Sequence, residues 1–105
     1  MAITNTRLTT TDPTTVFEAV GQQAITTMYI CNTTGSTVSW SLFIVDSSDS
    51  TGAGNDNMVY STVELTANDS YVISNERLVL SNGDLIEIEA NVANCITVTI
   101  SSIAV

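Results

Sequence analysis

Glu87 and Glu89 stand two residues apart in the stretch "LIEIEA". On an extended strand that spacing puts two carboxylates on one face, roughly 6 to 7 Å apart at the side-chain bases and near the separation used by inverting glycosidases. Any exposed strand with acids at i and i+2 gives the same pair, and sugar hydrolysis also needs a cleft with stacking aromatics, of which this chain has few. A solvated acidic face is the plainer reading. A second set of acids, Asp46, Asp49 and Asp56, lies with Asn55 and Asn57 in one polar stretch and could offer oxygen ligands to calcium. The spacing departs from that of an EF-hand loop, so the set is a weak candidate and no metal is expected. Gly52 and Gly54 are followed by neither a lysine nor a helix signal, which removes a phosphate cradle.

The missing residue types exclude more than the present ones suggest. The chain has no histidine, and its 2 basic residues, Arg7 and Arg77, are both arginine. Ser-His-Asp, Cys-His and Ser-Lys nucleophile systems are therefore out of reach within one chain, as are Schiff bases and histidine-held zinc. No catalytic residue and no cofactor are expected. The 11 acids leave a net charge of -9 and a pI near 4.1, which disfavours nucleic acid and anionic membranes, because both need a positive surface. A protein partner with a basic surface would be attracted instead.

These side chains are positioned by strands. The chain is 105 residues long, the size of one domain, and is rich in Thr, Val and Ile, which suit a pleated surface better than a helix. No apolar run approaches the ~20 residues of a membrane-spanning helix. "MAITNTRLTT" has neither the basic start nor the apolar core of a signal peptide, so assembly in the cytoplasm is expected.

Residues 1–14, Thr-rich with Pro13, are expected to be an extended arm, and residues 15–105 the folded domain. Strands are read at 14–20, 24–32, 38–45, 58–65, 70–74, 77–81, 85–90 and 95–105, separated by turn-forming residues. The fold class is all-β: an antiparallel, jelly-roll-like sandwich of about eight strands.

Residues 28–31, apolar on both faces, mark a central strand covered on two sides. In "VSWSLFIV" the core face is Val38, Trp40, Leu42 and Ile44. The Asn82-Gly83 pair predicts a hairpin whose second strand buries Ile86, Ile88 and Ala90. In the last strand Ile96, Val98 and Ile100 point inward. The stretch 46–57 has no means of packing and is expected to be a mobile excursion. The aromatics are scattered, with Tyr60 and Tyr71 the ones closest to a surface. Asn32 and Asn68 head the sequons "NTT" and "NDS", which matter only in a secreted eukaryotic protein. Cys31 and Cys95 fit either free thiols or one bridge.

Two stretches, "MYICNTTGSTVSWSLFIVDSSD" (28–49) and "NDSYVISNERLVLSNGDLIEIEANVANCITVTI" (68–100), resemble small virion proteins of tailed bacteriophages, including cyanophages. The likeness rests on "CNT-G" leading into an apolar strand, on "ND-YV", and on "L-L--GD-I". It implies a β-sandwich component of the virion, assembled in the host cytoplasm, with no catalytic residues to carry over. The expected role is a capsid cement (decoration) protein that bridges and stabilises adjacent capsomers of the major capsid protein through its arm and edge strands, acting as a dimer or trimer. The interface residues expected are Ile3, Arg7, Leu8, Pro13 and Arg77. One alternative is a tail or fibre module that meets the host surface through the 46–57 loop; another is a secreted adhesion domain.

Overall fold

The computed structural model describes residues 2–49, 51–74 and 78–105. Arg77 lies outside them. The described residues contain no helix and form nine strands: β1 (Ala2–Arg7), β2 (Thr14–Glu18), β3 (Gln23–Asn32), β4 (Val38–Val45), β5 (Met58–Leu65), β6 (Ser70–Ile73), β7 (Leu78–Leu80), β8 (Leu85–Ala90) and β9 (Ile96–Ala104). They lie in two antiparallel sheets, the all-β, sandwich-like arrangement expected. The five-stranded sheet runs β1-β9-β3-β6, with β7 also on β3, and the four-stranded sheet runs β2-β8-β4-β5. Short β6 and β7 share one side of β3, the first along Met28–Cys31 and the second along Gln23–Ile25.

Alternation decides which side chains meet between the sheets. Ile86, Ile88 and Ala90 on β8 and Ile96, Val98 and Ile100 on β9 are buried as expected, because a one-residue slip would turn Glu87 and Glu89 into the core. On β4, Val38, Trp40 and Leu42 enter the core while Ile44 is only partly buried. Phe43 and Val45 are buried too, although they occupy the opposite face beside Glu87 and Leu85.

Within the stretch expected as an extended arm, Ala2–Arg7 forms a strand. It pairs in unbroken register with β9, from Ala2 opposite Ser102 to Arg7 opposite Thr97, and Leu8 is wholly buried in the core. Its polar "TNT" hid this: Thr4 and Thr6 lie opposite Ile100 and Val98 on the inward side at the sheet's margin, where a hydroxyl is tolerated.

The Asn82-Gly83 turn is also not a hairpin. β7 belongs to one sheet and β8 to the other, so the turn carries the chain across the sandwich. Asp84 N donates to Ser81 O, and only Gly83 of the two central residues has positive φ, at 91°. That is the type II pattern, which splays its flanks; a tight hairpin of type I′ needs positive φ at both positions. Thr66–Asp69, with Asn68 at φ 59°, repeats the device between β5 and β6.

Asn32 ties this second corner to the β3–β4 turn. Fully buried at the end of β3, it donates through Nδ2 to Ser36 O (2.7 Å), Leu65 O (3.1 Å) and Thr66 O (3.1 Å), and its Oδ1 accepts from the Thr34 amide (2.9 Å) and hydroxyl (2.7 Å). Every polar atom of the side chain is used. Asn32→Ala should therefore cost about 2–3 kcal/mol by leaving buried carbonyls unpaired, and Asn32→Asp should cost more, because a carboxylate would face three carbonyl oxygens. Urea denaturation of the two variants against the parent checks both the loss and its order.

Candidate functional site

The candidates for chemistry do not assemble. Glu87 and Glu89 sit half-buried on the outer face of β8, paired across the ladder with Phe43 and Ser41 of β4. The concavity beside them, about 350 Å³, is lined by Ser39, Ser41, Thr62, Asn91 and Glu89, without Glu87. A two-carboxylate mechanism needs both acids to flank one cleft. Between the sheets a crevice of about 230 Å³ is walled by Ile25, Met28, Leu42, Ile73 and other apolar side chains with Tyr60, and holds no acid.

The 46–57 stretch is more built than its composition suggested. Asp49 Oδ1 accepts from the Thr51 amide (2.9 Å) and hydroxyl (2.5 Å), and its Oδ2 accepts from Asn57 Nδ2 (3.3 Å). Asn57 also donates to Gly52 O and accepts from the Gly54 amide, and its carbonyl accepts from Ile44 N at the end of β4. Asp46 Oδ1 takes the Ser48 amide. These acids satisfy the loop's own donors, and no group of three or more acids or cysteines that could hold a metal ion occurs among the described residues. Asp46, Asp49 and Asp56 are thus not brought together.

The aromatics, by contrast, are grouped. Trp40 lies 5.6 Å from Tyr60 and 5.3 Å from Tyr71, ring centre to ring centre, and the two tyrosines lie 6.0 Å apart, all in tilted or edge-on geometry. The cluster joins β4 and β5 of one sheet to β6 of the other. Trp40 Nε1 is buried without a hydrogen-bond partner, so the indole serves packing and offers no hydrogen bond outward. Both cysteines are free. Cys95 is buried, which pushes its thiol up, and it donates to Val92 O (2.9 Å).

What the structure does assemble is a contrast between two outer faces. The strands of the five-stranded sheet contain no Asp or Glu. Its outer face exposes Ile3 (67%), Tyr29 (47%), Val72 (49%), Val79 (57%) and Ile103 (41%). Register places Tyr29 beside Val72, and Ala24 between Val79 and Ile103. Cys31 lies on the same face, half-exposed.

The four-stranded sheet carries Glu18, Glu64, Glu87 and Glu89 on strand positions that alternate with buried residues, so all four face away from the core. β3, expected to be covered on both faces, is therefore covered on one. Of the expected interface residues, Ile3 and Arg7 lie on the neutral face, with the Arg7 guanidinium donating to Asn94 O (3.1 Å). Pro13 is exposed in the turn before β2, and Leu8 is inside the core, where no partner can reach it.

The free edges differ as well. β2 and β5 each carry register shifts, and Thr62 in β5 has φ 50°. Bulges of this kind blunt an edge. β1 has none.

No protein-family model, curated protein or solved structure is matched by this chain.

The corner at 81–84 sets a pH dependence. Asp84 accepts the Ser47 amide on one oxygen and the Ser81 amide on the other, both at 2.9 Å, and these bonds hold its carboxyl below the ordinary range. A lowered folded pKa contributes stability that is complete above the unfolded value, about 3.9, and is lost as pH falls through the folded one. Asp84→Asn can serve only one of the two amides. It should cost about 1 kcal/mol at pH 7, the figure being small because the site is open to solvent, and the gap to the parent should close as pH falls through the lowered folded value. Melting curves of both proteins between pH 2 and 7 test this. Millimolar calcium should leave the parent's melting temperature unchanged, and a rise would mean that the loop acids bind the ion.

Proposed function

We propose that this chain is a structural protein of a tailed-phage virion, a cement module that binds the major capsid protein and has no catalytic role. The observation that carries the reading is the separation of its outer faces. A cement must hold two things at once, and this molecule has two chemically different surfaces on opposite sides of one rigid sandwich. The face bearing Glu18, Glu64, Glu87 and Glu89 suits basic patches on a shell protein, where complementary charge speeds encounter and selects the partner. The neutral face is left for a second contact.

The resemblance of residues 28–49 and 68–100 to small phage virion proteins supports the same reading. A shell contact through a free arm is not proposed, because Ala2–Arg7 is already paired with β9 within its own sheet. Contact with the shell then comes from a preformed surface and needs no ordering of a tail.

Quantitative mass spectrometry of purified particles should find copies on the order of the capsomers or their symmetry axes. A handful per particle would move the chain to the tail or fibres, and none would end the virion reading. Glu87→Gln with Glu89→Gln keeps shape and removes charge. The double variant should bind undecorated shells about ten-fold more weakly at low salt and show a flatter salt dependence, as read by co-sedimentation.

A further inference from the structure

The neutral face has the features of a surface that meets its own copy. We infer that two molecules associate through the outer faces of their five-stranded sheets, related by a two-fold axis, with Tyr29, Val72, Val79 and Ile103 at the centre. The inference adds a second partner to the proposed function and names it.

Charge decides the partner. A chain of net charge -9 repels its copies, and any approach through the four-stranded sheet or the acidic loops would set carboxylate against carboxylate. The five-stranded sheet is the surface whose strands carry none. Pairing those faces sends Glu18, Glu64, Glu87 and Glu89 of each copy to the far sides. Sheets pack about 10 Å apart, so two stacked sandwiches hold the acidic faces about 30 Å from each other. That is more than three times the ~8 Å screening length at physiological ionic strength. A basic partner would find nothing to recognise on the neutral face and would bind the other one.

Area and pattern fit the same occupant. The sheet is four strand-widths across, because β6 and β7 lie end to end on β3. At about 4.8 Å per strand and about 3.3 Å per residue over some nine residues, one face offers roughly 600 Å², and two in full overlap bury at most roughly 1,200 Å². This is the low end of stable protein interfaces, so a reversible dimer is expected. Tyr29, Val72, Val79 and Ile103 gather on β3, β6, β7 and the end of β9, while β1 and the middle of β9 present Ile3, Asn5, Arg7, Thr97 and Thr99. A two-fold axis through the apolar half lays like on like, as an isologous contact requires.

The test uses the full chain in solution. Sedimentation velocity should give a dimer at about 100 µM that dissociates on dilution, as expected of a weak, reversible association. Val72→Glu with Val79→Glu puts two carboxylates on the face at exposed positions and should give a monomer with an unchanged melting temperature. Val20→Glu, which adds charge at an exposed turn, should remain a dimer. Cys31 lies on the face as a native reporter: its alkylation should slow several-fold between dilute and concentrated parent protein and stay constant in the Val72/Val79 variant.

A parent that is monomeric at about 1 mM overturns the inference. So does a dimer that survives both new glutamates, because that contact would lie elsewhere. A chain that is monomeric alone yet decorates shells would refute self-association while leaving the shell role standing. A dimer absent from particles would do the reverse.

Discussion

Eleven carboxylates share a chain with two arginines, and this imbalance constrains the rest of the structure. A buried charge is tolerated only when paired and hydrogen-bonded, and two cations cannot pair with eleven anions. Every acid must therefore lie at the surface, in a turn, or where backbone amides solvate it. Asp49 and Asp84 show the last solution, each held below the ordinary carboxylate range by nearby donors, the Thr51 hydroxyl foremost for the first and the Ser47 amide for the second. On strands the only place left is an outward position, and the acids that occur there all fall on β2, β5 and β8 of one sheet. The neutrality of the other sheet follows from the same distribution, and with it the apolar surface.

The corners carry the second part of the design. With one hydrogen-bonded pair of consecutive strands, β4 and β5, most connections must change sheets. Turns with positive φ only at the third residue, at Gly83 and Asn68, splay their flanks and allow this. Each corner is then tied by side chains: Asp84 and Asn82 Oδ1, which accepts the Gly21 amide at 2.8 Å, at one, and Asn32 at the other. Gly83 has little freedom to change, since a Cβ there would stand 3.0 Å from Ser47 Cβ in addition to the strain of its φ. Shape is thus stored in a few polar residues whose hydrogen bonds are nearly all made.

Alternation was legible wherever one face was strongly apolar, so β4, β5 and β8 match their sequence spans at both ends and the inward residues of β9 were read correctly. β1 was not legible, because a margin strand needs no apolar side chain to pair. The hairpin reading of Asn82-Gly83 failed because the dipeptide fits two turn types, and the choice between them lies in the φ of Asn82, which tertiary contacts decide. The same limit applies to Tyr29. Its apolar neighbours said that the strand was central, which it is, but a period-2 pattern cannot say whether the second face meets core, solvent or another molecule. The aromatic cluster was hidden for a related reason: Trp40, Tyr60 and Tyr71 come from three strands in two sheets.

An apolar face and an open edge invite different kinds of assembly. A sheet that grows edge to edge offers a new edge with every addition and does not close. This chain has no lysine to guard its margins, yet β2 and β5 are bulged, and β6 and β7 are short pieces. Among the described residues only β1 presents a regular edge, and a single edge can at most pair with its own copy once. Face-to-face contact about a two-fold axis is self-limiting in the same way, because each copy's face is consumed by one partner. Both available routes therefore stop at two molecules. In a face-to-face pair the acidic faces are left outermost, where their charge opposes the approach of a third copy.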